Sequence, residues 1–162
     1  MKNYIKSGLA IAITVIAGFE GVRYAAYIDP VGIPTICYGS TKGVKLGDTK
    51  THQECLDLLS DEAQHFYRGV DRLVTVDMTP EVHAAFTSFA YNVGLSNFKE
   101  SMALRKLNSG DTKGACDALI YVYIDKRGVC RGYGCGWSKG KRLRGLVNRR
   151  EAERELCLDG LY

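Results

Sequence analysis

The chain has 162 residues and a mass of 17.9 kDa, the size of one domain or of two small lobes that share a core. Hydrophobic residues make up 46% of it and charged residues 25%, which are ordinary values for a globular protein that can bury a core. The net charge of +4 suits an anionic partner such as nucleic acid, an anionic lipid surface or a carboxylate-bearing cell-wall polymer, without choosing among them.

The cysteine content bears on the redox state of the compartment in which the protein functions. Six cysteines in a chain of this length are many for a cytosolic enzyme. They include no compact set of four with zinc spacing, because only Cys130 and Cys135 are close in sequence. We therefore favour disulfides in an oxidising compartment, with six buried thiols as the alternative. No metal site is expected.

Residues 1–19 combine a short basic start with an apolar stretch rich in Ala, Gly and Thr. The stretch is shorter than the roughly 20 apolar residues that a stable membrane span needs. It fits a cleaved signal peptide, a weak uncleaved anchor that later packs as the first helix, or an ordinary buried helix of a cytosolic enzyme. We favour the uncleaved anchor, because the cysteines indicate export and because cleavage would remove the helix that should carry Glu20.

Two carboxylates nine positions apart follow this segment. Glu20 comes directly after the uncharged run 7–19, and a carboxyl group leaving an apolar helix is partly desolvated, which suits a general acid. Asp29 lies among turn formers and should stay solvated and ionised. Such a pair is what glycoside hydrolysis requires. The alternative is a helix-end glutamate and an unrelated turn aspartate.

Further along the chain, local signals predict a small sheet and several helices. Short strands or a hairpin are predicted around 33–38. The capping box Thr51–Glu54 predicts a long helix that could link two lobes, and Thr79-Pro80 predicts a helix that stops near Gly94. Two more helices are predicted over 96–107 and 112–121.

The stretch 126–150 contains no acidic residue and nine basic ones, with Tyr133, Trp137 and, from 128 to 140, five glycines interleaved. This composition is the best case for a different class of function, a non-enzymatic module that binds nucleic acid or cell wall. No helix-turn-helix, zinc-finger or RNA-binding motif accompanies it. A basic rim around an enzyme cleft that binds an anionic polymer explains the run equally well.

Several short sequence blocks, taken together, resemble those of a known enzyme family. They are Glu20–Gly39, with its Glu, Asp and Thr at positions 20, 29 and 35, then Ala90–Gly94, Asn97–Phe98, Gly114–Asp117 and Gly145–Glu151. In order and approximate spacing these blocks resemble the phage lysozymes (endolysins) of glycoside hydrolase family 24, from about residue 18 to the C-terminus. One departure is Ser40, where related enzymes often have His.

The resemblance implies an α+β, mainly α-helical, two-lobe lysozyme fold with a small antiparallel sheet and a long linking helix. It implies hydrolysis of the β-1,4 bond between N-acetylmuramic acid and N-acetylglucosamine in bacterial peptidoglycan, without cofactor or metal, causing host cell lysis. Glu20 would be the general acid, Asp29 would stabilise the oxocarbenium-like transition state and orient water, and Thr35 would hold that water.

Four further positions match family residues near the substrate. Tyr91, Asn92 and Ser101 correspond to sugar-cleft or substrate-contact positions, and Arg149, at the start of the last helix, to an arginine that pairs with the catalytic glutamate. Arg150 is the alternative for that last role, because the register is uncertain by one residue.

The resemblance also narrows the fifteen cysteine pairings that six cysteines allow. It implies the pairs Cys37–Cys55 and Cys116–Cys157, with Cys130–Cys135 closing a glycine-rich loop beyond the common pattern.

Some endolysins of this kind are exported by a signal-arrest-release segment. Residues 1–19 would then hold the protein transiently in the inner membrane before 20–162 act as a monomeric periplasmic enzyme. Peptidoglycan, and no nucleic acid, would be its partner.

Overall fold

The computed structural model describes residues 2–121, 123–124, 126, 130–135, 137–138, 141–142 and 144–162. Of these, residues 2–6, 123–124, 130, 135, 137–138 and 141–142 are described by their backbone alone.

Helices dominate the described chain. They are α1 (Lys2–Glu20), α2 (His52–Leu73), α3 (Pro80–Val93), α4 (Leu95–Lys99), α5 (Met102–Asn108), α6 (Thr112–Ala118) and α7 (Arg144–Asp159), with a 3-10 turn at Tyr133–Cys135. Strands β1 (Arg23–Ile28) and β2 (Pro34–Cys37) form an antiparallel hairpin. The predicted mainly helical fold with a small antiparallel sheet is confirmed.

Two short antiparallel ladders were not predicted. Strands β3 (Tyr123–Ile124) and β4 (Cys130–Arg131) pair with each other, as do β5 (Trp137–Ser138) and β6 (Lys141–Arg142). Each strand has two residues, too few for a periodic pattern to show in the sequence.

Local capping sets where the central helices begin. Thr51 and Glu54 form the reciprocal capping box at the start of α2, and Thr79 caps α3 with Pro80 in the first turn. Both predicted starts are confirmed.

The predicted helix over 96–107 is wrong in extent. The Ser101 hydroxyl oxygen accepts a hydrogen bond from Leu104 N at 3.1 Å, so a new helix, α5, begins after it. The predicted helix over 112–121 ends early, at Ala118. The last helix begins at Arg144, so Arg149 lies within α7 and not at its start.

Two hydrophobic cores divide the molecule into lobes. The smaller core consists of Ile16, Ile36, Cys37, Tyr38, Cys55, Leu59 and Ala63. The larger one is built mainly from α3 to α7 around Phe86, Phe89 and Phe98. Helix α2 contributes residues 55–63 to the first core and Val70 to the second, which confirms the predicted linking helix.

Helix α1 packs on the body of the protein along a narrow stripe. Gly8, Ala12 and Ile16 are buried at intervals of four residues, and α1 contacts α2 and α3. Gly8 lets the helix approach closely, since a Cβ atom there would lie 2.8 Å from the Tyr67 hydroxyl and 3.3 Å from the Pro80 carbonyl oxygen. Within the described part of the chain, no helix has both the length and the apolar character needed to cross a membrane.

The structure forms two of the three implied disulfides. Cys37–Cys55 joins β2 to α2 with an S–S distance of 2.01 Å, and Cys116–Cys157 joins α6 to α7 at 2.03 Å. The third pair, Cys130–Cys135, lies outside the described side chains.

The packing of α1 predicts opposite effects for two alanine substitutions in that helix. Gly8→Ala should lower the free energy of unfolding, because the buried Tyr67 and the Pro80 backbone must shift to admit the methyl group. The control Gly18→Ala has no atom within 4 Å of the new Cβ and should gain up to about 1 kcal/mol of helix propensity. Because the propensity gain is common to both variants, urea unfolding should separate them by the cost of overpacking at Gly8, about 1–3 kcal/mol, and equal stabilities would contradict this packing.

Candidate active site

The β1–β2 hairpin fixes the position of Asp29 and Thr35. Tyr27 pairs with Thr35 and Arg23 with Cys37, so four steps along β1 oppose two along β2. The extra residues of β1 bond to the next loop, because Ala26 N donates to Asp48 O at 2.9 Å and Lys50 N donates to Tyr24 O at 2.8 Å. The bulged strand is thereby held on both edges.

Asp29 lies at the tip of this hairpin, with its carboxylate oriented by the turn. Its Oδ1 atom accepts hydrogen bonds from Val31 N at 2.8 Å and Ile33 N at 2.9 Å. This is the Asx-turn geometry that the surrounding Pro and Gly residues favour. Oδ2 accepts no hydrogen bond from the described residues, so it is available to a water molecule or a substrate.

Thr35 lies on β2 and is only 4% exposed. Its hydroxyl donates to Ile33 O at 3.0 Å. The proton of Thr35 is therefore used within the turn, and the oxygen keeps lone pairs that can accept a hydrogen bond from water.

Glu20 ends α1, with its side chain 26% exposed. Oε1 accepts a hydrogen bond from Arg149 Nη1 at 2.5 Å. Oε2 lies beside Gly39, where a Cβ atom would be 3.8 Å away. One oxygen of the carboxyl group is thus tied to the larger lobe, while the other has no hydrogen-bond partner among the described residues.

Arg149 reaches Glu20 from the interior of the larger lobe. It is 3% exposed, and each of its three guanidinium nitrogen atoms donates a hydrogen bond. Besides Glu20, it donates from Nε to Glu153 Oε1 at 3.1 Å and from Nη2 to Ser88 O at 3.1 Å. Arg149, and not Arg150, therefore pairs with Glu20.

The remaining three candidates differ in their surroundings. The half-buried Tyr91 donates to Glu62 Oε2 at 2.8 Å, and burial together with Glu62 raises the pKa of its phenol. Asn92 is exposed and accepts from Arg150 Nη2 at 3.2 Å. Ser101 is 4% exposed and caps α5, so we leave it out of the proposed site.

A family model described as phage lysozyme matches residues 17–153, a range that includes Glu20, the hairpin and Arg149. The chain belongs to the phage lysozyme family. It is a lysozyme (muramidase) of the endolysin type, which hydrolyses peptidoglycan and lyses the host cell. Membership decides against the non-enzymatic binding module that the basic run 126–150 suggested.

Individual relatives of this lysozyme agree with the family match. It is 42% identical over 163 residues to the SAR-endolysin of Bacteriophage PS119, covering 95% of this chain and 90% of that protein. Among solved structures it is similar to a variant of phage P22 lysozyme, with 33% identity and a TM-score of 0.72 over 91% of this chain and 94% of that one. It is also similar to the active form of the phage P1 endolysin Lyz, with 27% identity and a TM-score of 0.77, covering 94% of this chain and 85% of that one.

Behind the Glu20–Arg149 pair, the lysozyme buries a compact charge cluster. Glu153 is fully buried and its Oε1 accepts from Ser88 Oγ at 2.6 Å and from Arg150 Nη2 at 3.0 Å. Burial raises the pKa of Glu153, outweighing the opposing effects of Arg150, Arg149 and Ser88. Burial likewise lowers the pKa of Arg150 to about 10, against the pull of Glu153.

Sequence reasoning missed Ser88, Glu153 and Glu62. Glu153 had a detectable signal, since it lies four residues after Arg149 and three after Arg150 on one helix. Ser88 had none, because it meets Glu153 only through the packing of α3 on α7. In the described part of the lysozyme, no three His, Cys, Asp or Glu side chains are grouped as metal ligands.

The raised pKa of Glu153 predicts a pH-dependent stability. Between its ordinary value of 4.5 and its folded value, the folded protein holds a proton that the unfolded chain has lost. The free energy of unfolding should therefore fall as pH rises through this window, by at most about 1.4 kcal/mol per pH unit. Glu153→Gln removes the titrating group, so the stability of wild type minus that of the variant should decrease from pH 4.5 upward.

Urea unfolding at several pH values measures this difference. The control is Glu151→Gln, which removes an exposed glutamate from the same helix. The free energy of unfolding of wild type minus that of Glu153→Gln should fall with pH. A difference that stays constant or rises would contradict a raised pKa of the buried Glu153 carboxyl group.

Proposed function

We propose that this lysozyme cleaves the β-1,4 bond between N-acetylmuramic acid and N-acetylglucosamine with Glu20 as general acid. The observation that carries the proposal is the Glu20 carboxyl group itself. It is tied by Oε1 to a buried arginine at 2.5 Å and is partly exposed. A fixed acid that substrate can reach is the first requirement of glycoside hydrolysis.

In the proposed reaction, Glu20 donates its proton to the glycosidic oxygen as the bond to the anomeric carbon breaks. The Asp29 carboxylate stabilises the positive charge that develops on the sugar ring. A water molecule held by Asp29 and Thr35 attacks the anomeric carbon and gives its proton to Asp29, in a single displacement with inversion. The carboxylate that the hairpin turn orients at Asp29 supports this role. Tyr91 and Asn92, near the end of α3, would contact the sugar chain.

We also propose that the lysozyme is exported and acts as a monomer in the periplasm. Residues 1–19 would serve first as an uncleaved inner-membrane anchor and then as the first helix of the folded enzyme. The relative from Bacteriophage PS119 is named a SAR-endolysin, and the alignment spans 95% of this chain. The two disulfides suit an oxidising compartment. The likeness to the active form of the P1 endolysin supports a released arrangement.

Glu20→Gln tests the catalytic assignment. The amide oxygen can still accept from Arg149, so the fold should be retained while the proton for the leaving group is lost. Clearing of a purified peptidoglycan suspension should slow by about 100-fold or more. Glu100→Gln, at an exposed position after α4, is the matched control and should clear at the wild-type rate.

Mass analysis of the wild-type fragments completes the test. Reducing N-acetylmuramic acid ends are expected from attack by water. Anhydro ends would remove the water-positioning role from Asp29 and Thr35, and full activity of Glu20→Gln would end the assignment of the acid.

A further inference from the structure

Arg149 lies between two carboxyl groups that belong to different parts of the molecule. Its Nη1 atom donates to Glu20 Oε1, and its Nε atom donates to Glu153 Oε1 at 3.1 Å. The side chain of Glu20 is 26% exposed, whereas that of Glu153 is fully buried. One guanidinium charge is therefore shared between the proposed acid and a carboxyl group that substrate cannot touch.

A second buried cation, Arg150, depends on the charge of Glu153. Arg150 is 2% exposed, and among the described residues Glu153 is the carboxylate that it contacts, at 3.0 Å. Its contacts with the Asn92 side chain at 3.2 Å and the Phe89 ring are with neutral groups. A buried charge without a counter-charge is strongly destabilising. Arg150 thus favours a carboxylate at Glu153, although burial raises the pKa at which that carboxylate forms.

The elements packed against α7 bring no competing charge to Glu153 in the described part of the chain. From α3 it meets the neutral Ser88 hydroxyl, which donates to its Oε1 atom at 2.6 Å. In the 3-10 turn, Tyr133 interacts with Arg150, and burial raises the pKa of its phenol, which stays uncharged. The other ionisable side chains of α3 and α6 lie elsewhere: Glu81 beside Gly160, His83 against Tyr67, Tyr91 on Glu62, and Lys113 and Asp117 in ion pairs of their own. The charges that act on Glu153 are therefore those of Arg149 and Arg150.

Arg149 both orients Glu20 and opposes its role as a proton donor. A cation beside a carboxyl group favours the ionised form, yet a general acid must hold its proton until the leaving oxygen takes it. The Tyr91 phenol also interacts with Glu20, but it is neutral, because burial and Glu62 raise its pKa. A negative charge on Glu153 offsets part of the Arg149 charge and leaves the hydrogen bond from Arg149 to Glu20 in place.

We propose that Glu153 is a positioning residue that acts through Arg149. Its carboxylate moderates the guanidinium charge, so that Arg149 can orient Glu20 without removing the proton that Glu20 donates to the glycosidic oxygen. This inference rests on the proposed function, because it concerns the proton of the proposed acid. A merely structural role for Glu153 needs hydrogen bonds to Arg149 and Ser88, which a neutral glutamine can also make through its amide oxygen. The two roles therefore differ in their need for the charge.

The pH dependence of kcat/KM on soluble peptidoglycan fragments tests that need. Since kcat/KM reports on the free enzyme, its alkaline limb follows the loss of the proton from Glu20. Glu153→Gln removes the charge, so the alkaline limb should move to lower pH by about one pH unit, while the acid limb stays in place. Glu153→Asp retains the charge on a shorter side chain, and its alkaline limb should coincide with that of wild type even where kcat falls. The control Glu151→Gln, at an exposed position of the same helix, should leave both limbs unchanged.

Carbon NMR of protein labelled at the glutamate carboxyl carbons gives a second readout that needs no turnover. The Glu20 signal is identified by its absence from Glu20→Gln, and the Glu153 signal by its absence from Glu153→Asp. In Glu153→Gln, the titration of the Glu20 signal should move to lower pH by the same amount as the alkaline limb. In wild type, which needs no substituted protein to fold, the Glu153 signal should be that of a carboxylate at neutral pH.

Three results would overturn the role of the Glu153 charge. They are a Glu20 titration that is the same in wild type and Glu153→Gln, an alkaline limb that moves equally in Glu153→Asp and Glu153→Gln, and a Glu153 carboxyl group that is still protonated in wild type at neutral pH. Full activity of Glu20→Gln would overturn the proposed function instead. The NMR titration would still report the coupling in that case, so the two failures are distinguishable.

Discussion

The hydrogen-bonded ion pair between Glu20 and Arg149 is the constraint on which the candidate site depends. It joins the end of α1 to α7 across 129 positions of sequence. A carboxylate at the C-terminal end of a helix faces the negative end of the helix dipole, so Glu20 is unfavourably placed unless a cation compensates. Arg149 supplies that cation, and the buried network of Ser88 and Glu153 behind it fixes the guanidinium. Glu20 is thus positioned by the larger lobe although it leads directly into the smaller one.

The smaller lobe holds Asp29 and Thr35, the proposed water-binding side of the site, by non-local contacts. Cys37 adopts a positive φ of 59°, which is unfavourable for a residue with a side chain. Its disulfide to Cys55 and its pairing with Arg23 hold it in place. Thr35 lies two residues away on the same strand, so the covalent link to α2 also limits the movement of the proposed water site.

Features set by neighbouring residues were predictable from the sequence. The capping box at Thr51 and the cap at Thr79 act over three or four positions, so their helices could be placed within a residue or two. The break at Ser101 could not, because a serine within an apolar periodic stretch fits both a helix interior and a cap. The short strand pairs β3–β4 and β5–β6 could not be predicted either, because a strand of two residues is too short to show a periodic pattern.

The candidate site likewise has features that were predictable from neighbouring residues and features that were not. The spacing of Glu20, Asp29 and Thr35 is a local feature, and the family resemblance gave it a meaning that the residues alone left open. The pairing of Arg149 with Glu20 and the disulfide partners were predicted from the resemblance, because residues so far apart in the sequence give no local signal of their contact. Ser88 and Glu153 are 65 positions apart and meet only through helix packing. Ser88 therefore gave no local signal, whereas the spacing of Glu153 from Arg149 on one helix was a signal that the prediction did not use.

A double-mutant cycle on Glu20 and Arg149 tests the central claim most directly. The free energy of unfolding would be measured for wild type, Glu20→Gln, Arg149→Met and the double variant at neutral pH. If the pair joins the lobes as described, the two substitutions should be non-additive by about 1–3 kcal/mol, because either change alone removes the attraction between the same two charges. Strict additivity would mean that Arg149 does not hold Glu20 in solution, and would contradict this account of how the acid is positioned.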